Sequence, residues 1–303
     1  MSTTVTMTAV PQPQLQLTFA GETRSGYTGL FAIDVACPTK PDPCLGEPQL
    51  LFEIPSDTHD IAWSPDGSQV VFTSEGVNKK SDIFLADWNG DNMRNLTSSA
   101  GSEGRAVWSL DGTRIAYIYG SATEEIAIRS LNLEDGSTQR LLENVFNPDA
   151  FVWLSDGSLV AYVAQISGTD WRTQITVANT GGQVLNQIPT EATDFTGILD
   201  LTASPDGLRF AFTGKIVPTT PGPATNNIYV TDRISGDYIA LTDDFNYNLA
   251  PAWSLLGDRI AFTSNRDGNY DIYLVSSEGE GLLKVTDSSK NETSPAWRLV
   301  LLP

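Results

Sequence analysis

A unit of roughly 40 to 50 residues recurs along the chain, and a repeat of that length limits the fold more than any single residue does. The copies read IAWSPDGSQVVFTS from Ile61, AVWSLDGTRIAYIY from Ala106, FVWLSDGSLVAYVA from Phe151, LTASPDGLRFAFTG from Leu201 and PAWSLLGDRIAFTS from Pro251. They align on Trp63, Trp108, Trp153, Ala203 and Trp253, and SPAWRLV near the end repeats only the opening, with Trp297. In each copy an apolar stretch ends at Trp-Ser, and Pro-Asp-Gly or a variant supplies a tight turn. An alternating run such as Arg259-Ile260-Ala261-Phe262-Thr263 then reads as a strand. A second run follows, Asp271 to Val275 or Asp82 to Leu85. A hairpin such as Asn89-Gly90 or Asp135-Gly136 leads to a last run near Leu96-Thr97 or Val285-Thr286. Four short strands per unit without a helical period predict the meandering blades of a β-propeller.

The two ends complete each other. Before Ile61 there are three strand candidates, Leu15 to Phe19, Gly29 to Val35 and Gln49 to Ile54, and after residue 290 there is one, Ser294 to Val300. The C-terminal strand is therefore expected to close the first blade from inside, which removes an unpaired edge. The expected fold is all-β: a six-bladed β-propeller of four-stranded antiparallel blades over residues 14–303, preceded by an arm over residues 1–13. The run P-A-W-S-x-x-G-x-x-I-A-F-T-S-x-R-x-G-x-x-D-I-Y-L from Pro251 to Leu274 resembles the WD40-like (PD40) repeat of TolB-type six-bladed propellers. The resemblance implies the fold over nearly the whole chain. It covers only a propeller, so it implies no Tol–Pal envelope role.

Composition limits the chemistry. With 18 Lys plus Arg against 37 Asp plus Glu, the net charge of −19 opposes binding to nucleic acid or to an anionic membrane surface. No apolar run reaches the ~20 residues of a membrane helix, and MSTTVTMTAVPQPQ lacks the basic and apolar regions of a signal peptide. His59 is the single histidine, so metal centres with two or three histidines are excluded, and any Ser–His or Cys–His dyad must use it. No G-x-S-x-G elbow is present. His59 between Asp57 and Asp60 is expected to be a channel residue and not a catalytic base.

The Trp-Ser-Pro-Asp-Gly turns are expected to be structural, with Trp packed between blades and Asp-Gly shaping the turn. The segments before each inner strand are expected to reach the mouth of the central channel. They supply His59, Asp60, Glu103, Arg105, Asp149, Asp200, Asn248 and Glu292. Oxygen-rich side chains converging on an axis suit a polar ligand or a hard cation, so Ca²⁺ is the one cofactor considered, on Asp149, Asp200 and Glu292. The alternative is a solvated funnel.

Cys37 and Cys44 flank PTKPDP in a polar loop, and a disulfide between them would place the protein outside the cytosol: periplasmic, cell-surface or secreted. Thr4-Val5-Thr6-Met7-Thr8-Ala9-Val10 alternates polar and apolar residues before Pro11, as a strand donated to a neighbouring subunit would. The leading expectation is a non-catalytic extracytoplasmic binding or scaffolding module with a protein partner or a second copy of itself. Two alternatives stand beside it. One is a structural subunit polymerising through the N-terminal strand. The other is a carbohydrate-active enzyme or lectin using the channel mouth, with Trp171 or Tyr247 stacking on sugar rings.

Overall fold

The computed structural model describes residues 14–36, 44–54, 58–75, 80–120, 126–142, 148–154, 159–166, 172–179, 183–188, 195–216 and 224–300. The arm carrying Thr4 to Val10, the side chains of Cys37 and Cys44, and Trp171 lie outside the described residues.

The repeat folds as six antiparallel sheets arranged in a ring. Blade 2 is the pattern for the rest: an inner strand Thr58–Trp63, then Gln69–Glu75, Ser81–Asp87 and the short outer Arg94–Asn95. The inner strands of blades 3 to 6 are Ser102–Trp108, Pro148–Trp153, Phe195–Ala203 and Asn248–Trp253. In blade 1 the inner strand is Glu292–Val300, which pairs with Gln14–Glu22 from the other end of the chain. The outer edge of blade 1 comes in two pieces, Cys44–Leu45 and Gln49–Ile54, both paired with Thr28–Ala36. The ring therefore closes as the repeat implies.

Burial follows the strand period. Nine residues after each repeat tryptophan or its alanine stands an aromatic residue of the second strand, namely Phe72, Tyr117, Tyr162, Phe212 and Phe262. All five are buried between blades, each contributing roughly 1.5–3 kcal/mol. The tryptophans tie neighbouring blades together. Trp108 Nε1 donates to the Ala62 carbonyl at 3.1 Å, Trp297 Nε1 to that of Ala252 at 3.0 Å, and Trp63 Nε1 to Thr18 Oγ1 at 2.8 Å.

The turns are structural, and their acids show why. In Ser64-Pro65-Asp66-Gly67 the Asp66 carboxylate accepts from Ser64 Oγ at 2.6 Å and from the Ser68 N–H at 3.0 Å. Ser109 with Asp111 and Ser204 with Asp206 repeat this. Blade 6 moves the acid two places along, and Ser254 Oγ donates to Asp258 at 2.6 Å. Gly67 is required twice over: its φ is +70°, and a Cβ there would stand 1.8 Å from the Leu299 carbonyl oxygen of the closing strand.

Candidate functional site

The inner strands kink near the position three residues before the repeat tryptophan or alanine; in blade 4 the slip falls one residue earlier, between Pro148 and Ala150, and the blade 5 strand has a second slip between Phe195 and Gly197. The register with the second strand slips between His59 and Ala62, between Ile198 and Leu201, and between Leu249 and Ala252. Within such a slip the left-handed residues are Asp60, Arg105, Ala250 and Ser294, with φ between 52° and 57°. A bulge of this kind re-aims a side chain out of the sheet plane. Here it directs Asp60, Arg105, Asp200 and Ser294 into an axial cavity of about 270 Å³, with Ala150 and Ala250 completing the row.

Four members of the row are linked across blades. Asp60 Oδ2 accepts from the backbone N–H of Arg105 in the next blade at 3.0 Å and from Thr73 Oγ1 at 3.3 Å. Asp200 repeats the device, accepting from the Ala250 N–H at 3.0 Å and from Thr213 Oγ1 at 2.9 Å. The second oxygen of Asp200 takes an ion pair from the Arg105 guanidinium. That pair reaches from blade 3 over Ala150 of blade 4 to blade 5, and so bars part of the mouth. Beneath it the channel wall turns apolar, with Ile61, Val107, Val152, Leu201 and Ala252 facing the cavity. The expected oxygen-rich funnel is therefore a single polar row above an apolar barrel.

Glu103, Asn248 and Glu292 stand two residues before the row. They are 2%, 0% and 6% exposed, and none of them lines the axial cavity. The slip accounts for this: a strand alternates faces, and the bulge turns only the residue inside it toward the axis. Glu103 and Glu292 instead face the seams between blades, where Ser99 and Ser288 hydroxyls donate to them. His59 is about half exposed beside Asp60, with Nε2 3.8 Å from Oδ2, and among the described residues no hydroxyl hydrogen-bonds to it. Asp149 belongs to strand Pro148–Trp153, but its side chain lies outside the described set. Asp200 and Glu292 thus stand on different rows. Among the described residues no group of three or more His, Cys, Asp or Glu side chains is placed to hold a metal ion. Tyr247 is exposed on the loop entering blade 6, next to a more exposed Phe245 that the sequence reading did not single out.

Alignment on the tryptophan would have found the row, because its members are all three residues upstream. It would not have found Thr73 and Thr213, whose hydroxyls reach the row from the second strand.

This architecture defines a six-bladed β-propeller with a TolB-like fold. The structure of TolB from Acinetobacter baumannii superposes with a TM-score of 0.73 at 17% identity, covering 93% of this chain and 66% of that one. A putative TolB from Agrobacterium tumefaciens gives 0.65 at 15% identity over 96% and 99% of the two chains. A chain of a nidogen/laminin complex gives 0.70 at 11% identity over 94% and 98%. No family model matches the sequence. The uncharacterized peptidase YuxL of Bacillus subtilis (strain 168) is 31% identical over 110 residues, which is 35% of this chain. The match spans only 17% of that relative's length.

Proposed function

We propose that the protein is a non-catalytic, extracytoplasmic binding propeller that takes a protein partner on the face carrying the axial mouth. The observation that carries this reading is the Arg105–Asp200 pair, a charged bar held in place by backbone and threonine hydrogen bonds above an apolar barrel. A fixed guanidinium–carboxylate pair presents a charge pattern of defined geometry that a partner of complementary charge can recognise. Phe245 and Tyr247, exposed on the loop that leads into the blade 6 inner strand, supply the apolar contact that protein interfaces favour. The likeness to TolB and to a chain solved in a nidogen/laminin complex supports a propeller that works by contact. The extracytoplasmic setting rests on the proposed Cys37–Cys44 disulfide.

A photo-crosslinking amino acid at position 247, compared with one at Tyr238 on the outer edge of blade 5, tests the reading in cells. A crosslinked partner is expected from position 247 only, and is expected to disappear when Arg105→Ala and Asp200→Ala are added. Equal crosslinking from both positions, or peptide hydrolysis by the purified chain that Arg105→Ala leaves intact, overturns it.

A further inference from the structure

Three of the six blade junctions are built on the same four positions, and their chemistry differs in an informative way. At the junction of blades 5 and 6, Asn248 Nδ2 donates to Asn227 Oδ1 at 3.0 Å, and Thr242 Oγ1 donates to the same oxygen at 2.8 Å. At the junction of blades 2 and 3 the matching residues are Asp82, Thr97, Ser99 and Glu103. At the junction of blade 6 with the closing strand they are Asp271, Thr286, Ser288 and Glu292. The threonine plays one part in all three, its Oγ1 accepting from the backbone N–H of Ile83, Ile228 or Ile272 at 2.9 Å. Where blades 5 and 6 set an amide against an amide, the other two junctions set a carboxyl against a carboxyl.

Two ionised carboxylates have no hydrogen to share. Among the described residues Glu103 Oε2, Glu292 Oε2 and Asp271 Oδ1 are buried without a hydrogen-bonding partner, a costly state for a polar atom. One proton per junction removes the difficulty. A neutral glutamic acid then donates to the aspartate, as Asn248 donates to Asn227. We propose that Glu103 with Asp82, and Glu292 with Asp271, each hold one shared proton that staples neighbouring blades, so that the ring is tighter when these pairs are protonated than when both members are ionised.

The surroundings agree. Burial raises the Glu103 carboxyl above its usual range, the Ser99 hydroxyl pulls it down, and the charge of Asp82 raises it again. Burial likewise raises Glu292; the Ser288 and Thr286 hydroxyls oppose this, and Asp271 adds to it. The charged and titratable groups facing Glu103 are Asp82 from blade 2 and Tyr117 from blade 3, with Arg129 beside Tyr117. Asp82 is further held by the neutral amide of Asn95 at 2.7 Å. Asp271, facing Glu292, has the Lys284 ammonium 3.1 Å away, and Lys284 also contacts Asp267 and Asp287. Lys284 offsets part of the negative charge at the closing seam, whereas Asn95 at the equivalent place offsets none. The blade 2–3 pair should therefore hold its proton more tightly.

For an acid raised in the folded state, the stabilisation is complete below its ordinary value and is lost as pH rises through the raised one. Thermal unfolding of the full chain from pH 5 to 9 tests this. Wild type is expected to lose about 2–4 °C of Tm on the alkaline side beyond what Glu103→Gln loses. The glutamine variant keeps the donor without the titration. Asp82→Asn should flatten the curve in the same way, because its amide can donate to an ionised Glu103. Carbon-13 NMR of the wild-type glutamate carboxyls gives a direct reading, with Glu103 expected to titrate above the ordinary 4.5. Wild-type slopes in both variants, or an ordinary titration of Glu103, overturn the proposal.

Discussion

The inner strands carry two rows of residues only two positions apart, and the rows do opposite work. The axial row of Asp60, Arg105, Asp200 and Ser294 meets an open cavity and presents charge. The seam row of Glu103, Asn248 and Glu292 is buried between blades and is held by hydroxyls and amides. A single bulge separates them. Without it, residues two apart on a strand would share a face. With it, one member of the pair leaves the sheet while the other stays in the seam, so binding chemistry and assembly chemistry occupy the same short segment without competing.

The comparison is broken most forcefully at the seam. Asn248→Leu removes the donor to Asn227 and Asp244 and the acceptor for Arg266. It should cost about 3 kcal/mol, read as a lower midpoint in urea with an unchanged slope. Asp200→Ala is the matching cut in the axial row. It removes the carboxylate that Arg105, Thr213 and the Ala250 N–H all donate to, and should cost about 1–3 kcal/mol while abolishing partner crosslinking at the mouth. Arg105→Ala sharpens the contrast: its pair is partly exposed, so stability should change by about 1 kcal/mol or less while the crosslink is still lost. A stability loss as large as that of Asn248→Leu would show that the two rows are one structural unit.

The smallest effect distinguishes the seam acids from the turn acids by pH. The Ser109 hydroxyl, then the Thr113 N–H and hydroxyl, hold the Asp111 carboxyl down from an ordinary 3.8 to about 2. A lowered acid stabilises fully above its ordinary value and loses that contribution as pH falls through the lowered one. Asp111→Asn should therefore flatten the acid limb of a Tm–pH curve between about pH 4 and 2. It should leave untouched the alkaline limb assigned to Glu103.

How far the sequence reaches can be judged at particular residues. The blade count, the turn role of Asp66-Gly67 and the closing strand around Trp297 were all legible, because local alternation and turn chemistry repeat with the unit. Asp60, Arg105 and Asp200 were legible as mouth residues, since the segments before the inner strands must end there. Glu103, Asn248 and Glu292 were grouped with them because sequence distance cannot show which side of a bulge a residue faces. Asp82 and Asp271 gave no signal of their own: each lies two strands before its partner along the chain and meets it only across a blade junction.

The sequence alone therefore determined the ring, since a repeat that cannot bury its own faces must stack on its neighbours until the ends meet. The tertiary structure decided which acids face solvent and which face each other. That choice depends on a one-residue slip in strand register, and a slip reverses side-chain direction while leaving the pattern of residue types unchanged.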